Sequence, residues 1–245
     1  MFSYNMLLNG DCLKLMPTVG DNSVDMVLVD LPYGRGELNW DIAIDHGEMW
    51  VQLKRICKPN ANILFFCTTK FGYELIKSNE KWFRYDMVWE KPKMVGFLDA
   101  KVRPLRKHEM IYVFSKPSGG VKTYNPQKTT GHKPLGHVKG REYKDGIVDI
   151  YGKTGTTDKY GDDTRFPTSI QKFGFDKEKL HRTQKPVALC EWLIKTYSNQ
   201  GETVLDFTMG SGSTIVAAKN TGREFIGIEM DEEIFKIAEE RLNED

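Results

Sequence analysis

Cysteine is scarce in this chain. Four residues, at positions 12, 57, 67 and 190, carry thiols, and no two stand at C-x-x-C spacing. That argues against a disulfide framework or a thiolate metal cluster and fits a reducing cytoplasm. Four buried, unpaired thiols are the expectation. Long apolar runs are missing too: none approaches the ~18 residues that a membrane helix needs. The first residues, Met1-Phe2-Ser3-Tyr4-Asn5, show no basic segment leading into an apolar stretch, so neither a leader nor a membrane contact is expected. His132 and His137 sit in a glycine-lysine loop with no further ligands in sight, and no metal site is expected. Internal repeats are absent. Net charge is nearly absent as well, at +1.

That balance hides an asymmetry. Residues 91–144 hold 13 Lys and Arg against 3 Asp and Glu, whereas residues 201–245 hold 4 against 11. A basic middle on a near-neutral chain points to a polyanion on one face. At 245 residues the chain fits one large domain, or one domain with a sizeable insertion.

Strand and helix patterns alternate at both ends of the chain. Residues 6–11 read as a short strand and turn, 23–30 and 62–67 as buried strands, and 83–89 and 109–114 as two more. Apolar positions 49, 50, 53 and 56 share a helical face, with Pro59 following, and 71–77 is a further helix candidate. From 117 to about 180 the periodicity dissolves into Gly, Lys, Thr, Asp and Tyr, which marks an insertion carrying recognition. Order returns with a helix at 186–197, a strand at 203–207, a helix at 213–220 stopped by Gly222, a strand at 224–228 and a helix at 231–242. Such alternation implies an α/β fold with a mostly parallel sheet covered on both faces.

Two motifs carry the chemistry. Asp30-Leu31-Pro32-Tyr33 follows the apolar run Val27-Leu28-Val29, so the four stand where a strand enters a turn. A carboxylate, a backbone carbonyl and an aromatic ring there could hold one flat, amine-bearing ring. The second motif is Asp206-Phe207-Thr208-Met209-Gly210-Ser211-Gly212-Ser213-Thr214, a strand end and a glycine turn opening a helix. Its glycines let backbone approach a ligand closely. A dinucleotide fingerprint wants a third glycine where Ile215 stands, and no Walker lysine follows. Glu229 ends the next strand, placed to accept ribose hydroxyls. Asp206, Glu229 and Asp231 crowd the site with negative charge, which suits a cationic cofactor without phosphates, such as a sulfonium amino acid nucleoside.

Asp30-Leu31-Pro32-Tyr33 resembles the D-P-P-Y motif of S-adenosylmethionine-dependent DNA amino-methyltransferases. The segment Asp206–Gly212 resembles their F-x-G-x-G cofactor motif, and His181-Arg182-Thr183-Gln184-Lys185-Pro186 is similar to the segment preceding it in the β-type order. The resemblance spans roughly residues 5–116 and 181–242. It implies a circularly permuted Rossmann-like methyltransferase fold: a catalytic half at 1–116, a target-recognition insertion at 117–180 and a cofactor half at 181–245. It implies S-adenosylmethionine as cofactor, held by Asp11, Cys12, Asp30, Lys185, Asp206, Phe207, Thr208, Gly210, Gly212, Ser213, Thr214 and Glu229. For Lys185 the alternative is a simple surface lysine before a proline.

Asp30, Leu31, Pro32 and Tyr33 are the expected catalytic residues, with Asp30 and the Leu31 carbonyl accepting the amine N–H groups and Tyr33 stacking on a flipped base. Leu31 departs from the motif's proline, but its role needs only a backbone carbonyl. Arg103, Arg106, Lys107, Lys139, Arg141 and Lys144 are the expected contacts to double-stranded DNA. The leading aspartate favours adenine N6 over cytosine N4. A homodimer and a cognate restriction endonuclease are family-based expectations. Two rivals stay open: a catalytically silent nucleic-acid-binding protein on the same scaffold, and a methyltransferase acting on RNA or protein glutamine.

Overall fold

The computed structural model describes residues 5–34, 42–117, 122–133, 163–178 and 184–243. It divides into two compact units, Met1–Asn125 with Ser169–Asp245, and Pro126–Thr168. In the smaller unit a bridge joins Thr129 to Arg165, and the Asp163 carboxylate accepts from Gly131 N–H at 2.9 Å.

The larger unit is built on one sheet. Its strands are β1 (Met6–Asn9), β2 (Val24–Asp30), β3 (Cys57–Cys67), β4 (Phe83–Val95), β5 (Arg106–Ser115), β6 (Ile170–Lys172), β7 (Thr203–Asp206) and β8 (Glu224–Glu229). They lie in the order β1-β8-β7-β2-β3-β5-β4-β6. Every neighbouring pair is parallel except the two made by β5, which runs against both β3 and β4. The described α-helices are α1 (Cys12–Leu15), α2 (His46–Ile56), α3 (Thr69–Ser78), α4 (Val187–Tyr197), α5 (Ser213–Asn220) and α6 (Glu232–Asn243).

Successive side chains of a strand leave on opposite faces, so a strand covered on both sides must be apolar throughout. That explains the unbroken runs in β2 and β3. Ile63, Phe65 and Cys67 enter one core with Trp50 and Leu53 of α2 and Leu75 of α3. Leu64 and Phe66 enter the other with Leu189 and Cys190 of α4, Ile215 of α5 and Ala238 of α6. All four cysteines are free and buried.

Several boundaries differ from the sequence pattern. β3 begins at Cys57, directly after α2, and so includes Pro59. Its pairing with β2 jumps from Val24↔Cys57 to Met26↔Asn62, and the proline falls in that irregular stretch, where no ladder hydrogen bond is required of it. β4 and β5 extend well past the apolar cores read from sequence. Within the 117–180 stretch, the short strand β6 joins the sheet beside β4, and Thr123 O accepts from Asn62 Nδ2 at 2.8 Å. A three-residue strand whose burial alternates exposed and intermediate leaves no hydrophobic signal. Asp231 lies before α6 and caps it, accepting from Glu233 N–H and Ile234 N–H.

The connections make a switch point in the middle of the sheet. After β2 the chain moves outward to β3, and after β7 it moves the opposite way to β8. The carboxyl ends of β2 and β7 therefore open a crevice, where sheets of this type hold ligands.

Candidate active site

Four strand ends meet at that crevice. Asp30 ends β2, Asp206 ends β7, Glu229 ends β8, and Asp11 follows β1 through Gly10. They surround a cavity of about 430 Å³, within the usual range for small-molecule sites. Asp30, Leu31, Pro32 and Tyr33 line it together with Asp11, Cys12, Lys185, Asp206, Phe207, Thr208, Gly210, Ser213, Thr214 and Glu229. The two motifs, distant in sequence, thus share one hollow. They are also bonded to each other: the Thr208 hydroxyl donates to the Asp30 backbone carbonyl at 3.1 Å.

The glycine turn is shaped by backbone, not by bulk. Gly210 has φ +53°, and a Cβ there would meet nothing within 4 Å. Its N–H donates to Glu229 Oε2 at 2.9 Å, while Asp231 N–H serves Glu229 Oε1, so the acid is fixed at the rim. An ionised carboxylate has further lone pairs to offer a ligand. Gly212 plays another part. It does not line the cavity; at φ +82° it lets α5 start against α6, and a Cβ would stand 3.1 Å from Ala238 Cβ.

Acids dominate the side of the hollow formed by β1, β7 and β8. Asp206 is buried, and that burial pushes its carboxyl up to about 7 despite hydrogen bonds from Thr214 and Thr208. Asp11 caps α1, accepting from Leu13 N–H at 2.9 Å. Burial and the nearby Asp11 push the Cys12 thiol up to about 11, so it is an inert wall group. Ile42, Ile44, Phe66, Met230 and Ile234 supply apolar wall that the sequence motifs do not mark.

On the other side the turn Asp30–Tyr33 is braced. The Leu31 side chain is buried in the core beneath the sheet edge, which accounts for an apolar residue where the motif has proline. Tyr33 packs on Phe71 with ring centroids 4.9 Å apart, and burial keeps its phenol protonated.

Lys185 is not a surface lysine. Its side chain is 11% exposed, it pairs with Asp30 Oδ2, and it stands 3.1 Å from Glu109 Oε1. Lys91 approaches the same acid, 2.6 Å from Oε2. Lys185 thus brings a cation to a hollow otherwise crowded with acids. Burial drives the Asp30 carboxyl above the ordinary range, opposed by Lys185 and reinforced by Glu109. For Glu109 burial is outweighed by Lys185 and Lys91, which hold it ionised below the ordinary range. Neither Glu109 nor Lys91 was legible as a site residue. A lone acid flanking the apolar run of β5 looks like any strand-end charge.

Among the expected DNA contacts, Arg103 is exposed and pairs with Asp99, and Lys107 is exposed and pairs with Glu90 at 2.9 Å. Arg106 is half-buried and donates to the His108 carbonyl. None of the three lines the cavity; they lie on the β4–β5 hairpin, whose tip also exposes Phe97, Leu98 and Val102. Lys139, Arg141, Lys144, His137 and residues 181–183 fall outside the described residues. His132 Nε2 lies 2.7 Å from the Thr129 hydroxyl.

Comparison with known proteins agrees with this layout. Residues 24–240 match the DNA methylase family. The chain is 27% identical over 270 residues to the type II methyltransferase M.HinfI of Haemophilus influenzae, covering 98% of this chain and 68% of that protein. It is 27% identical over 266 residues to the type II methyltransferase M1.MboII of Moraxella bovis, covering 100% and 98%. Among solved structures, an M1.HpyAVI–SAM complex superposes with TM-score 0.65 at 21% identity, covering 97% of this chain and 99% of that one. The cytosine-N4-specific PvuII DNA methyltransferase superposes with TM-score 0.69 at 15% identity, covering 100% and 88%. With nearly nine-tenths of its length matching the family, and with the family's two motifs lining one hollow, the chain belongs to the N6/N4 DNA methylases.

Proposed function

We propose that this protein transfers a methyl group from S-adenosylmethionine to the N6 amino group of adenine at a specific site in double-stranded DNA. The observation that carries this reading is the shared cavity, with the Thr208 hydroxyl tying the glycine turn to the carbonyl of Asp30.

The residues present fit the cofactor. A cavity walled by apolar side chains with Asp11, Asp206 and Glu229 at its rim suits a nucleoside that is cationic and lacks phosphates. Glu229 would take the ribose hydroxyls, Asp206 the positive end, and Gly210 lets the backbone come close. Bound there, the cofactor supplies a methyl group activated by a sulfonium.

The chain's own contribution is positioning. An exocyclic amine is a poor nucleophile because its lone pair is delocalised into the ring. Asp30 and the Leu31 carbonyl accept its two N–H groups, draw the nitrogen toward pyramidal geometry and aim the lone pair at the methyl carbon. Such orientation is worth several kcal/mol, up to ~7–11 in favourable cases. The target base must leave the duplex to reach this corner, at a cost of a few kcal/mol. Stacking on Tyr33 offsets part of that cost. The basic β4–β5 hairpin, through Arg103, Arg106 and Lys107, supplies phosphate contacts.

Asp30 at the head of the motif supports adenine. The test is to methylate unmodified duplex DNA with labelled cofactor, digest it and identify the nucleoside. N6-methyladenine is expected; N4-methylcytosine as the sole product would overturn the adenine assignment. Cofactor binding without transfer to any duplex would favour a silent binding protein.

A further inference from the structure

Glu109 is a buried acid that the chemistry above leaves unused. It is 7% exposed and lies on β5 opposite Trp89 of β4, just beyond the end of β3. Its two oxygens are divided between two lysines, Oε1 toward Lys185 and Oε2 toward Lys91. Lys185 in turn bridges Glu109 to Asp30, with its ammonium 5.1 Å above the ring of Phe66. Two acids and two lysines thus form an alternating row, Asp30–Lys185–Glu109–Lys91, leading from the cavity wall into the sheet. Lys185 and Asp30 line the cavity; Glu109 and Lys91 do not.

A buried ion pair that loses one partner leaves an uncompensated charge, which is costly. In a simple Asp30–Lys185 pair, neutralising Asp30 would strand the lysine. Here Lys185 keeps a second anion. We infer that Glu109 is a positioning residue for methyl transfer: it holds Lys185 as a shared cation, so that Asp30 can release the lysine and take the proton that the product amine must shed. The inference rests on the functional reading above.

The balance is simple. The amine nitrogen bonds the methyl carbon as the carbon–sulfur electron pair departs with sulfur. The nitrogen, now cationic, has one proton in excess, and that proton passes to Asp30. Lys185 remains paired with Glu109 throughout, and no further reactant is needed.

The charges facing Asp30 are Lys185, Glu109 and Lys91, with the titratable groups Tyr33, Cys67 and Asp206 also close to it. This makes the test directional. In Glu109→Gln an anion is lost near Asp30, so the acid limb of the single-turnover pH–rate profile should move down by about one pH unit. The plateau rate should fall about tenfold, because Asp30 becomes a weaker acceptor pinned to Lys185. In Lys91→Met a cation is lost, and the limb should move the other way.

Rates are read at saturating cofactor on duplex DNA from a strain without base methylation, and cofactor affinity is measured separately by calorimetry. Opposite displacements with cofactor Kd within about threefold of wild type support the inference, since a merely structural role would not reverse sign between the variants. Limbs that stay in place, or move in the same direction, overturn it. If Glu109→Gln does not fold, the direction in Lys91→Met decides alone. Wild-type protein that transfers no methyl group to DNA overturns the functional reading and this inference with it; wild-type transfer with unmoved limbs overturns this inference only.

Discussion

Asp30 and Asp206 are both carboxylates at strand ends in one hollow, yet the proposed function gives them different work. Asp30 is tied to Lys185, and on the proposed reading Asp30→Ala should lower single-turnover methyl transfer by at least ~10²-fold while cofactor affinity stays within about threefold. Transfer at the wild-type rate would contradict its assignment. Asp206 is a liability when no ligand is bound. Its folded value near 7 lies above the ordinary 3.8, so its contribution to stability is complete below about pH 4 and is lost as pH rises through about 7. Asp206→Asn should therefore stabilise the ligand-free protein at pH 8 by on the order of 2 kcal/mol and have little effect at pH 4. Thermal unfolding at the two pH values checks this. The same substitution should weaken binding of a cationic cofactor at pH 8 by at least tenfold, read by calorimetry.

At the scale of elements, the turn between β7 and α5 separates two uses of glycine. Gly210 faces the cavity with open space about its α-carbon, whereas Gly212 abuts α6. Gly212→Ala combines a positive φ with a close contact and should cost about 1–3 kcal/mol, with cofactor affinity largely kept in the folded fraction. Gly210→Ala meets no neighbour and should cost nearer to ~1 kcal/mol, but its methyl group would intrude on the ligand and lower cofactor affinity. Denaturant melts paired with calorimetry distinguish the two; equal loss of affinity in both would refute the division.

At the scale of the whole molecule, the proposed function assigns the approach to DNA to charge. Of the six expected contacts, three lie on the hairpin, and two of those, Arg103 and Lys107, are exposed. Removing one phosphate contact should lower the slope of log affinity against log salt by about 0.9. Arg103→Ala and Lys107→Ala should each reduce the slope by about that amount without changing which base is modified. An unchanged slope in both would move the DNA face elsewhere on the protein.

The sequence alone determined the parts that depend on neighbours along the chain. The strands around Val27 and Ile63 were legible because a strand buried on both faces leaves an unbroken apolar run. The two motifs were legible because turn chemistry after such a run is local. The crossing of the sheet at β2 and β7, which turns two separate turns into one hollow, was decided only by tertiary structure. So were the burial of Lys185 and the recruitment of Glu109. A lysine before a proline and an acid before an apolar run look solvated in sequence; they become a shared ion row only when three strands and the segment before α4 bring opposite charges together out of water, where each must find a partner.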